Sequence, residues 1–104
     1  PLPKELAMQL THEHVQLGYF EYVQNRVNRL INGELLRIQD EGCGYSSDKL
    51  VLKFSKKFLE IIEKQEKQGY KPKSAKVNHI VYWRNEEAEK EVKIVLPVVY
   101  FERE

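Results

Sequence analysis

Val15-Gln-Leu-Gly-Tyr-Phe-Glu-Tyr-Val-Gln-Asn-Arg-Val-Asn-Arg-Leu-Ile31, carried on through Asn32-Gly33 to Leu35 and Ile38, is the stretch on which the fold turns. Val15, Tyr19, Val23, Val27, Ile31 and Leu35 recur every four residues, and Ile38 follows after three. Phe20, Tyr22 and Leu30 widen the stripe, while Gln24, Asn25, Asn28 and Arg29 fall largely off it. Such a pattern predicts a long amphipathic helix with one buried face. Asn32-Gly33 either ends that helix or is carried inside it at a cost of about 1 kcal/mol relative to Ala.

Upstream, residues 3–10 read as a short helix, with Pro3 at its first position and Leu6 and Leu10 on one face. Thr11 is then placed to cap the long helix, with Glu13 in the first turn, where the helix dipole favours an anion. Downstream, residues 40–48 collect Gly42, Gly44, Ser46, Ser47, Asp40 and Asp48, a loop composition. Leu50, Val51, Phe54, Phe58, Ile61 and Ile62 then hold a second helical phase, and Gly69, Tyr70 and Pro72 supply its stop. One helix over about 48–68 is the favoured reading. Residues 50–54 alternate as a strand would, and Ser55 could begin a helix afresh.

The last third is rich in β-branched and aromatic residues over 77–84 and again over 92–101, joined by the polar segment 85–91. The expected architecture is therefore α+β: two long amphipathic helices followed by a C-terminal antiparallel β-hairpin, in one domain spanning residues 1–104. The alternative adds strands near 34–38 and 50–54, in the order α-β-β-α-β-β. In the final strand Ile94, Leu96, Val98 and Tyr100 face one way, and Val95, Val99 and Phe101 the other. A strand apolar on both faces calls for cover on both sides. Pro97 removes a ladder donor and belongs at a bulge or on an unpaired edge.

The composition limits the function. The chain has 104 residues, 17 basic against 16 acidic side chains and 41% hydrophobic residues. That length suits a single domain, and the apolar content exceeds that of a disordered chain. The single Cys43 rules out an intrachain disulfide and fits a reducing, cytoplasmic setting. No apolar run approaches the ~18–20 residues that span a bilayer. Charge is uneven along the chain. Residues 53–76 carry eight Lys and three Glu, whereas residues 86–104 carry three basic and six acidic side chains.

Chemistry-bearing groups are sparse. His12, Glu13, His14 and the distant His79 do not have the number or spacing of a zinc set. Cys43, between two glycines, has no adjacent base to make it a nucleophile. No cofactor, no metal, no catalytic set and no small-molecule substrate are expected, so an enzyme is the least favoured class.

Two binding classes remain. The first is a non-enzymatic protein-interaction module, a homodimer or a protein's partner, associating through the hairpin at Tyr82, Trp83, Ile94, Leu96, Val98 and Tyr100. The second is a nucleic-acid-binding regulator using Lys57, Lys67, Lys71, Lys73 and Lys76. A solvated helix face accounts for these lysines more simply, since Glu60–Lys64 and Glu63–Lys67 are favourable i,i+4 pairs.

Overall fold

The computed structural model describes residues 2–104. Strand β1 (Glu5–Gln9) leads through a 3-10 turn (His12–His14) to two short helices, α1 (Leu17–Tyr22) and α2 (Gln24–Val27). Strands β2 (Leu35–Gln39), β3 (Gly42–Gly44) and β4 (Leu50–Lys53) follow, then helix α3 (Lys56–Lys67) and the long pair β5 (Tyr70–Asn85) and β6 (Lys90–Arg103). All six strands form one sheet in the order β1-β6-β5-β2-β3-β4. Every neighbouring pair in it is antiparallel. The expectation of two long helices before a hairpin is therefore wrong: nearly half the chain is strand, and the helices are short.

The misreading of residues 15–38 has a geometric cause. A step of four residues advances about 400° around an α-helix, so a strict four-residue series drifts by about 40° per step and leaves any one face. Between the ends of this stretch the buried positions are Phe20, Val23, Val27 and Leu30, with Val15 and Leu36 buried outside the helices, so only Val15, Val23 and Val27 of the four-residue series reach the core. Ile31 and Leu35 are 64% and 69% exposed. The backbone breaks accordingly. Val15 is extended, Val23 has left helical geometry with ψ at 22°, and Gly33 takes φ +92°.

The N-terminal helix over 3–10 is also overturned, because Leu6, Met8 and Leu10 fit period two as well as Leu6 and Leu10 fit period four. β1 adds to the side of β6 in the register Glu5↔Glu102 to Gln9↔Val98. The helix over 48–68 is two elements. β4 occupies its start, and α3 begins only after Ser55, whose hydroxyl accepts from the Phe58 N–H at 3.3 Å. α3 ends at a glycine, Gly69, with φ +90°.

The 40–48 loop contains β3. Its glycines admit close strand approach: a Cβ on Gly42 would lie 2.1 Å from the Leu52 carbonyl oxygen. The α-β-β-α-β-β alternative fails at its first helix, although β2 and β4 occupy its two added positions. The terminal ribbon forms, but as the centre of the sheet and not as a separate hairpin. Pro97, which has no N–H to give, lies opposite the bulge where the β5–β6 register slips between Val77 and His79.

The sheet curls back on itself. Val15 bridges Phe54, the Ser55 N–H donates to the His14 carbonyl at 2.9 Å, and the Gln16 N–H donates to the Lys53 carbonyl at 2.9 Å. These bonds tie the far edge of the sheet to the segment that follows β1. The core fills the curl, and α3 closes it with edge-to-face contacts. Phe58 meets Phe54 at 4.8 Å, Phe101 at 6.4 Å and His14 at 5.7 Å between ring centres.

Candidate interaction surface

The β5–β6 ribbon has two unlike halves in a molecule measuring 50 × 25 × 21 Å. At its root, Ser74–Val77 of β5 and Pro97–Arg103 of β6 are flanked by β2 and β1. Val77 is the last β5 residue bonded to the β2 side, its N–H donating to the Glu34 carbonyl and its carbonyl accepting from the Gly33 N–H. In the tip half, Asn78–Asn85 pairs only with β6 among the described residues.

The outer edge of β6 in this tip half is closed by one side chain. The Gln24 Oε1 accepts from the Lys93 N–H at 2.9 Å, and its Nε2 donates to the Lys93 carbonyl at 2.9 Å. This is the bond pair a neighbouring strand would make. Lys93 itself is buried, and its Nζ donates to the carbonyls of Leu30 and Asn28 at 2.6 and 3.2 Å. The outer edge of β5 has no such partner. Along it Val81, Tyr82 and Trp83 are 45%, 61% and 41% exposed. In the register, His79, Val81 and Trp83 share a face with Leu96, Ile94 and Val92, while Ile80, Tyr82 and Arg84 share the other with Val95, Lys93 and Glu91. The run 78–83 contains no Lys, Arg, Asp, Glu or Pro, the residues that ordinarily blunt an open edge.

The structure separates the six proposed interface residues. Tyr82 and Trp83 are at the open tip. Leu96 is half-buried against the core, and Val98 and Tyr100 are half-buried outside it. Ile94 is only 4% exposed, on the part of β6 where α1 packs. Much of the cover that β6 calls for on both faces comes from this chain: Val95, Val99 and Phe101 are buried, and so are Val92 and Ile94 opposite. Val81 was not among the six, and neither was Gln24. The signal for Val81 was three consecutive apolar residues, Val81-Tyr82-Trp83, which cannot all point to one face.

The lysines do not converge. Lys57 pairs with Glu13, and Lys71 and Lys73 reach the Glu104 carboxylate at 3.7 and 3.0 Å. The carboxylates that answer this segment are thus Glu13 and Glu104, not the helix neighbours Glu60 and Glu63. Hydrogen bonding to Lys57 and Lys73, with their charge, holds Glu13 and Glu104 below the usual carboxylate range. Lys67 lies in the last turn of α3, and Lys76 stands opposite Leu35 and Val98 in the sheet.

Among the described residues no three His, Cys, Asp or Glu side chains gather to hold a metal. His14 is a structural group whose Nδ1 accepts from the Thr11 N–H at 2.9 Å. Burial, with the nearby Lys57 charge, pushes its pKa down. Cys43 is buried in β3, which pushes its thiol up to about 12 and leaves it an inert core group. No helix among the described residues is long and apolar enough to cross a membrane. No protein-family model matches the chain, and it matches no curated protein and no solved structure.

Proposed function

We propose that this protein is a non-enzymatic self-association module whose outer β5 edge pairs with the same edge of a second copy. The observation that carries this reading is the uncapped run Asn78–Asn85, with Val81, Tyr82 and Trp83 exposed along it. An open, apolar edge is a template for strand addition. Its occupant is a second copy because the edge is self-complementary. An antiparallel two-fold through Val81 sets Ile80 beside Tyr82, His79 beside Trp83 and Asn78 beside Arg84. Ile80 meets Tyr82, Val81 meets its own copy, and no like charges face each other. Two sheets then become one, and six Val81, Tyr82 and Trp83 side chains leave water together.

Sedimentation velocity across micromolar concentrations tests this. The wild type sediments as a dimer, and a Val81→Lys, Tyr82→Lys double variant sediments as a monomer with an unchanged circular dichroism spectrum. A wild type that is monomeric throughout the range, or a variant that remains dimeric, defeats the proposal. Nucleic-acid binding is not proposed, because Lys57, Lys71 and Lys73 are engaged by carboxylates and the five candidate lysines spread over α3 and β5.

A further inference from the structure

A second surface, distinct from the hairpin tip, lies between α2 and the loop joining β3 to β4. Arg26 in α2 and Arg29, two residues past its end, face Tyr45, Ser46, Ser47 and Lys49 across a cleft of about 220 Å³. No carboxylate lines it. Arg26 is half-buried and fixed, since its Nη1 donates to the Leu50 carbonyl at 2.8 Å, leaving its other N–H donors free. The loop opposite is also held. Arg37 donates to the Ser47 carbonyl from the adjacent strand, and the Lys49 N–H donates to the Ser47 hydroxyl at 3.2 Å. Two acids stand beside the lining: Glu34, which engages the Tyr45 hydroxyl and so raises its pKa and accepts from the Ile31 N–H at 3.3 Å, and the exposed Asp48, between Ser47 and Lys49 in the chain. Arg29 and Lys49 have no carboxylate partner within ion-pairing distance among the described residues.

Three cations gathered around a concave, hydroxyl-lined space, with no anion inside it, are a charge pattern awaiting its complement. We infer that this cleft binds the phosphoryl group of a small phosphate ion or phosphate ester. Guanidinium groups match phosphate oxygens through paired N–H donors, and the Ser46 and Ser47 hydroxyls donate singly. The cleft is smaller than the ~300–1,000 Å³ of ordinary ligand sites, so it takes a phosphoryl group and not a whole cofactor. A bound anion would also join α2 to the β3–β4 loop, next to the Arg26 hydrogen bond to Leu50 at the start of β4.

The test is calorimetric and NMR titration of the full chain with inorganic phosphate and, separately, with a nucleoside monophosphate, at fixed ionic strength set by chloride. The expected result is saturable binding of at least one, weakened tenfold or more in an Arg29→Gln, Lys49→Gln double variant. Both side chains are exposed, so the variant is expected to melt as the wild type does. A Lys67→Gln, Lys76→Gln control, which removes the same charge elsewhere, leaves binding unchanged. Tighter binding of the monophosphate assigns the phosphoryl group to a nucleotide, and equal binding assigns it to free phosphate. Absence of saturable binding, or equal weakening in the control and the cleft variant, overturns the inference.

Discussion

The root and the tip of the β5–β6 ribbon are built from similar residues and end in opposite states. At the root, strands flank both edges and α3 lies over one face, so Ala75, Val77, Val99 and Phe101 are buried. At the tip, one edge is closed by a glutamine amide and the other is bare. β-branched and aromatic composition therefore specifies a strand without specifying what lies beside it. The neighbours decide whether an apolar side chain stabilises the monomer or is available to a second molecule.

Substitutions at the two ends sharpen this contrast. The largest effect belongs to the root. Phe58→Ala empties the centre of the Phe54–Phe58–Phe101 cluster and is expected to cost about 3–5 kcal/mol, read as a lowered urea midpoint. A loss under 1 kcal/mol would mean that α3 is loosely docked and that root and tip do not differ as described.

At the closed edge of the tip, Gln24→Ala leaves the Lys93 N–H and carbonyl unpaired, at a cost of about 1–3 kcal/mol. It also bares a second edge, so assemblies larger than a dimer are expected in sedimentation. If the variant stays at the wild-type mass, the amide is not what blocks that edge.

A smaller effect comes from pH. The folded pKa of His14 lies below its unfolded value of 6.5, so folding favours the neutral ring. The stability this represents is present above the unfolded value and is lost as pH falls through the folded one. Thermal midpoints of the wild type should therefore fall between pH 7 and pH 5. His14→Asn keeps an acceptor for the Thr11 N–H and flattens that part of the profile. An unaltered profile over this range would show that His14 does not carry the acid sensitivity there, since Glu13 and Glu104, with lowered pKa values, lose their contribution only at lower pH.

What could be read from the residues follows the same division. The strands of the ribbon were legible because Val, Ile, Tyr and Trp cluster there and a polar segment parts them. Residues 15–38 were not, because spacing by four imitates a helical face while drifting round it, and the buried set 15, 20, 23, 27, 30 and 36 emerges only once the sheet is there to pack on. Gly42 and Gly44 looked like loop residues, since close contact with Leu52 and Gln39 depends on partners distant in sequence. Tyr82 and Trp83 could be named as surface candidates from the sequence. Ile94 could not be excluded, because its burial depends on where α1 lies. The Arg26–Lys49 cleft left no sequence signal, since its two walls come from separate elements.

The smallest stability effect tests the open edge most directly. Trp83→Ser removes a large ring that is 41% exposed and has no hydrogen bond to a protein partner, so the monomer should lose about 1 kcal/mol from the covered part of the ring. Its effect should appear in concentration dependence instead. Association stabilises the folded state by mass action, so the wild-type melting temperature rises as protein concentration is raised. The Trp83→Ser midpoint should stay flat over the same range and lie a few degrees below the wild-type curve at its dilute end, with the gap widening as concentration is raised. A loss of several kcal/mol at every concentration would show that Trp83 serves the monomer's own packing. The tip would then be a second root, closed by contacts within one chain, and the difference between the two halves would vanish.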